Sequence, residues 1–283
     1  MTGCSALNFS VEGLINSPKL ASEKSEIHQA LIESVGSNIT LKYPKNGEYR
    51  SAYVIANIDD EPTDEAMVFY EYTSNGSEED GLRVNILDKD EDGKWYSVKE
   101  LAGAGTDIDQ VIISPMGSNN QTDVFVGYQN LTNDEKTMEI YSYTDGDFKR
   151  VALDTYSVLE PLDINNDGYI ELITIQRSTN NDTGAVTAKA SMLNMKNNEI
   201  TRGENVDMCD NVTSYVSSKT GMLDSGRRAI FIDGLTADGK LQTEIIYYRY
   251  SGLQNPMQLR SEKLLPLCTR PAGYYSEDCL LYT

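Results

Sequence analysis

Histidine occurs once in these 283 residues and tryptophan once, and the four cysteines lack close CxxC pairing. A His-rich zinc or non-haem iron site is thereby excluded, and any metal is expected to be bound through oxygen. Basic residues are scarce as well. Lys+Arg number 24 against 44 Asp+Glu, a net charge of −20. Such a surface repels nucleic-acid phosphates and anionic lipids, so no nucleic-acid partner is expected. No apolar run reaches the length of a membrane span, and no complete signal peptide is visible. A Ser-His-Asp hydrolase would have to use His28, with no G-x-S-x-G elbow present. His28 lies off the Ile27/Leu31/Val35 stripe of a predicted helix and reads as a partly exposed helical residue.

What is present is a patterned acidic loop. Asp163, Asn165 and Asp167 place oxygen side chains at every second position, Gly168 supplies a turn, and the Tyr169 carbonyl and Glu171 complete a donor set suited to calcium. The loop runs straight into Leu172-Ile-Thr-Ile175, an apolar β-branched stretch that suits a buried strand better than a helix. A calcium ion there would pin the start of a strand. Asp88 to Gly93 matches the pattern superficially, but it is followed by Trp95-Tyr96 with no closing acid and is expected to be a solvated hairpin.

Ser22 as N-cap, the Ile27/Leu31/Val35 spacing and Gly36 as stop predict one helix over 23–35. Beyond Tyr49 the sequence repeats. Four strand cores, Ala66 to Tyr70, Val124 to Tyr128, Leu172 to Ile175 and Ala229 to Ile232, start 58, 48 and 57 residues apart. Each is preceded by a candidate strand and followed by a polar loop, another strand and a hairpin turn at Asp92-Gly93, Asp145-Gly146, Asn197-Asn198 or Gly252 to Asn255. Small four-stranded sheets cannot bury both faces alone, and stacking them is the propeller solution. The expected fold is therefore all-β: a β-propeller-like array of four-stranded antiparallel blades with one N-terminal helix. The predicted divisions are a tether over 1–21, a helix and strand over 22–47, and repeats at 48–104, 105–153, 154–206 and 207–264, with a partial fifth at 265–283. The strand core of that fifth unit falls past Thr283, so the chain reads as a fragment or trimmed form of a longer protein.

Asp163 to Glu171 followed by Leu-Ile-Thr-Ile resembles the FG-GAP/VCBS repeats of integrin-like propellers and secreted bacterial proteins. The resemblance implies calcium at Asp163, Asn165, Asp167, Tyr169 and Glu171. Asn57, Asp59, Glu61 and Glu65 form a degenerate copy in which Pro62 replaces the turn glycine. The corresponding loops of the second and fourth units, Pro115 to Asp123 and Thr220 to Arg228, lack alternating oxygens and read as plain turns.

Met1-Thr2-Gly3-Cys4 resembles the end of a bacterial lipobox, which implies lipidation at Cys4, an extracytoplasmic address and membrane contact only through that anchor. Leu41-Lys-Tyr-Pro-Lys45 and Tyr49-Arg-Ser-Ala-Tyr53 are similar to the start of uncharacterised lipoproteins of anaerobic Gram-positive bacteria. Cys268 and Cys279 are equally readable as a disulfide or as free thiols. The expected function is a non-catalytic lipoprotein scaffold binding an extracellular protein, peptide or glycan. A carboxylate-dependent glycan-cleaving enzyme and a structural envelope component are the alternatives.

Overall fold

The computed structural model describes residues 18–73, 81–116, 122–130, 135–180, 182–196, 199–203, 205–209, 212–223, 225–255 and 258–261. Cys4 with residues 1–17 of the predicted tether, Cys268, Cys279, the Asn197-Asn198 turn and the partial fifth repeat lie outside the described residues, while the last four tether residues, 18–21, belong to the helix.

The chain is all-β, built of antiparallel sheets with one described helix, and the three sheets of its second unit stack in a propeller-like array. It divides into two compact units, Met1–Tyr43, Ser51–Asn57 and Glu61–Gly103 in one and Pro44–Arg50, Ile58–Asp60 and Ala104–Thr283 in the other.

In the first unit, α1 (Pro18–Val35) begins five residues before the predicted start. Pro18 suits a first helical position, where its missing N–H has no intrahelical partner to lose. Ser22 is consequently not a cap; its hydroxyl donates to Glu26 Oε1 at 3.2 Å, one turn on. Gly36 does end the helix, with φ +83° and its N–H on the Ile32 carbonyl. The strands β1 (Ile39–Leu41) and β2 (Tyr53–Ala56) share one side of β3 (Glu65–Tyr72), which continues to β4 (Leu82–Lys89) and β5 (Trp95–Ala102). Ile27, Ala30 and Leu31 of α1 bury against Ala66, Val68, Tyr70, Leu87 and Trp95. Asp88 to Gly93 is the expected hairpin: Asp90 Oδ1 accepts the Asp92 and Lys94 N–H groups, and Gly93 turns at φ +77°.

The second unit holds three sheets. The first is β6 (Asp107–Ser114), β7 (Asp123–Gln129), β8 (Lys136–Thr144) and β9 (Asp147–Tyr156) in that order. The next is β10 (Val158–Leu162), β11 (Glu171–Thr179), β12 (Val186–Lys196) and β13 (Glu199–Arg202), with β14 (Val206–Asp207) also on β12. The last is β15 (Val212–Met222), β16 (Arg228–Thr236), β17 (Leu241–Arg249) and β18 (Gly252–Gln254), with β19 (Gln258–Ser261) also on β17. The four predicted strand cores lie inside β3, β7, β11 and β16. Asp145 and Gly146, both at positive φ, make a two-residue hairpin between the paired Thr144 and Asp147. The turn predicted at Gly252 to Asn255 sits instead at Tyr250-Ser251, where both residues take positive φ and Arg249 pairs with Gly252.

Successive residues along the middle strands serve opposite faces, as the two-residue strand period requires. Leu172, Leu193 and Met195 pack with Phe125, Met138, Ile140 and Tyr156 between the first two sheets of this unit. Ile173, Ile175, Ala188 and Ala190 pack with Ile230, Ile232 and Ile246 between the last two. Each fully buried Ile or Leu contributes roughly 1.5–3 kcal/mol, so face-to-face stacking supplies what a single sheet lacks. No helix among the described residues is long and apolar enough to cross a membrane.

Candidate functional site

The opening strands of the three sheets in the second unit, β6, β10 and β15, line a cavity of about 560 Å³ together with Asn46 to Tyr49. That volume lies in the range typical of small-molecule sites. Two of the three strands are irregular. The register slips between Ile108 and Gln110 in β6, and between Tyr215 and Ser217 in β15, leaving Asp109 and Val216 as bulge residues in the cavity wall. Such bulges re-aim side chains and gather next to functional sites. The third, β10, is an edge strand, which is where Pro161 is tolerated without losing a ladder hydrogen bond.

Asp109 is 1 % exposed and saturated with donors. Lys136 Nζ lies 2.9 Å and Asn46 Nδ2 2.8 Å from its Oδ1, and the Tyr156 hydroxyl donates to Oδ2 at 2.6 Å. Burial and the Asp109 charge hold the Tyr156 phenol far above its usual range, so it remains a donor. Gly127 makes this arrangement possible, because a Cβ on that residue would collide with the Tyr156 hydroxyl. Gln110 Nε2 reaches the Leu159 carbonyl at 3.4 Å, tying β6 to β10.

Glu160 is held differently. Ser218 Oγ donates to its Oε1, the one hydrogen bond of this side chain among the described residues. Burial raises its carboxyl above the usual range and the Ser218 hydrogen bond opposes the rise; no charged neighbour contributes. Tyr215, also in the wall, is raised first by burial and then by the Glu244 charge.

The predicted calcium residues lie together in the loop between β10 and β11. Asp163 Oδ1 accepts the Asp167 N–H at 3.0 Å, and Oδ2 the Gly168 N–H at 3.2 Å. Asn165 Oδ1 accepts the Asp167 N–H and its Nδ2 donates to Asp167 Oδ2 at 2.9 Å and Glu171 Oε1 at 2.7 Å. The Tyr169 N–H donates to Asp167 Oδ1 at 3.0 Å. Gly168 takes φ +95°, the turn a side chain would resist. Glu171, 3 % exposed, accepts the Ile164 N–H at 3.0 Å. Burial, with the charges of Asp167 and Asp163 adding, pushes its carboxyl up to about 7. The donor set has the all-oxygen chemistry of a hard-cation site. Its oxygens are nevertheless engaged internally, and among the described residues no three His, Cys, Asp or Glu side chains gather as a metal cage. A positive charge is already at hand: Arg228 Nη1 lies 2.9 Å from Asp163 Oδ2 and 2.7 Å from the Asp163 carbonyl.

The cavity group of Asp109, Lys136, Glu160 and Ser218, with Tyr156 behind Asp109, was not foreseen from the sequence. The available signal was a charged residue inside an apolar strand, as in Ile108-Asp109 and Leu159-Glu160. Nor was it foreseen that Asp123 matches Glu171, since Asp123 Oδ2 accepts the Met116 N–H seven residues back, as Glu171 accepts that of Ile164. His28 is exposed, with Nδ1 2.7 Å from the Tyr53 hydroxyl.

No protein-family model matches the chain, and no curated protein matches its sequence. Solved structures match at a distance. A rhamnogalacturonan lyase of Bacillus licheniformis is 8 % identical with a TM-score of 0.41, over 80 % of this chain and 54 % of that one. The chain thus spans about half the length of that enzyme. A putative 6-phosphogluconolactonase of Bacteroides uniformis is 14 % identical with a TM-score of 0.38, over 80 % of this chain and 68 % of that one. A periplasmic gluconolactonase of Pseudomonas aeruginosa is 10 % identical with a TM-score of 0.29, over 79 % of this chain and 76 % of that one. Likeness this remote carries no argument about activity, so the function has to be argued from the site itself.

Proposed function

We propose that the chain is a non-catalytic extracytoplasmic binding protein whose stacked sheets are the scaffold for a small hydroxyl-rich ligand, a glycan fragment, received in the β6/β10/β15 cavity. The observation that carries this reading is the cavity itself, sized for a small molecule and walled by carboxylates, hydroxyls and bulged backbone beside Tyr49 and Tyr215. Lipidation at Cys4 would tether the scaffold to the outer face of the membrane. Calcium would be held by Asp163, Asn165, Asp167, Glu171 and the Tyr169 carbonyl as a structural ion, in competition with Arg228 for Asp163. Membership of the FG-GAP/VCBS type rests on those same loop residues and the strand that follows them.

The test is calorimetric titration with a panel of neutral and charged monosaccharides. Val216→Trp, which fills part of the cavity from a bulge, is expected to abolish binding while the thermal midpoint stays put. Binding that survives the substitution would place the ligand elsewhere.

A glycan-cleaving reading has one observation in its favour: Glu160 is a carboxyl raised by burial inside the cavity, the property of a general acid. New reducing ends from oligosaccharides, lost in Glu160→Gln, would replace the binding reading with that one.

A further inference from the structure

The cavity wall carries three carboxylates, Glu48, Asp109 and Glu160, and one cation, Lys136. That cation is committed. Its ammonium sits 2.9 Å from Asp109 and 5.6 Å from the centre of the Tyr156 ring, so it neutralises the buried acid and stands over an aromatic face. Glu160 has only the Ser218 hydroxyl as a hydrogen-bond partner among the described residues, so its second carboxylate oxygen has none of its own. With Asp109 neutralised and Glu48 exposed, Glu160 is the partly buried carboxylate of the wall, and such a group gains more from a positively charged donor than from water or a neutral hydroxyl. One carboxylate beside one hydroxyl does not supply the six to eight oxygens a calcium ion takes. An ammonium, with three donors and a small radius, does fit such a pair.

We infer that the cavity selects a saccharide bearing a protonated amine, its ammonium on the Glu160 carboxylate and its ring beside Val216 of the cavity wall. This rests on the reading of the cavity as a glycan site and narrows it to amino sugars. Glu160 is the specificity-determining residue, and the burial that raises its carboxyl is relieved when the cation binds.

The experiment is calorimetric titration of the intact protein with D-glucosamine, N-acetyl-D-glucosamine, D-glucose and spermidine. Glucosamine is expected to bind at least about tenfold more tightly than its N-acetyl form, the effect of one charge-assisted hydrogen bond. Glu160→Gln should erase that preference, and Ser218→Ala should weaken it. Both variants are checked by thermal unfolding, and Glu160→Gln should melt no lower than the wild type because it removes a desolvated charge. Equal binding of glucosamine and N-acetylglucosamine overturns the inference while leaving a glycan cavity. Spermidine binding as tightly as glucosamine overturns the saccharide half. If none of the four binds, the cavity reading falls and the inference with it.

Discussion

Two loops in the second unit solve the same problem with different residues. In both, the chain leaves the opening strand of a sheet, buries an apolar residue and enters the next strand through a buried acid. Met116 and Asp123 do this before β7, and Ile164 and Glu171 before β11. In each pair the acid accepts the N–H of the residue seven positions back. Asp123 also accepts from Ser142 Oγ, whereas Glu171 accepts from the Asn165 amide. The closing acid therefore has a structural role that needs no metal. It is a staple that satisfies a buried backbone donor, and Asp163, Asn165, Asp167 and Gly168 are additions to it in one loop alone.

The sharpest way to break the comparison is to remove the staples. Asp123→Ala and Glu171→Ala each strand a buried N–H, and each is expected to cost about 2–3 kcal/mol in urea unfolding. A cost confined to Glu171 would mean the acid matters only in its acidic loop.

Next comes the difference in neighbours. Gly127 on β7 gives the Tyr156 hydroxyl its place beside Asp109, while β11 has Ile175 at the matching position. Gly127→Ala should displace Tyr156 and cost roughly 2 kcal/mol by overpacking. Unchanged stability would show that Tyr156 has another resting place.

Arg228 tests the loop from its other side. Arg228→Ala removes an ion pair and a hydrogen bond to Asp163 and is expected to cost about 1 kcal/mol, since the side chain is partly exposed. It should also enlarge any stabilisation by calcium, because the competing cation on Asp163 is removed.

The smallest effect is a pH slope. The folded-state pKa of Glu160 is raised above its ordinary 4.5, so the native protein holds that proton more tightly than the unfolded chain. Its contribution is fully present below about pH 4.5 and is lost as pH rises through the folded value. Glu160→Gln should flatten that part of the stability profile. An identical slope in the variant would assign the pH dependence to other groups.

The cores of β3, β7, β11 and β16 were legible because β-branched and aromatic runs bounded by polar loops have few other readings. Asp145-Gly146 was legible for its backbone chemistry. Tyr250-Ser251 was not, because neither residue advertises positive φ, and Gly252 next to it drew the turn two residues downstream. Asp163 to Glu171 is visible as a local pattern. The cavity is not, since Asp109, Lys136, Glu160 and Ser218 come from separate strands and meet only once three sheets are stacked. The staple role of Asp123 was hidden for a related reason: its partner is a backbone N–H, which leaves no mark in a sequence.

The most direct test of the proposal that one loop adds a cation site to the staple is thermal unfolding in calcium and in chelator, on the wild type and on Asp167→Ala. Asp167 belongs to the added oxygens and not to the staple. The account expects a higher midpoint in calcium for the wild type and none for Asp167→Ala, with both proteins folded in chelator. A wild-type midpoint that is the same in calcium and chelator would contradict it and leave Asp163 to Glu171 as an acidic turn held by Arg228.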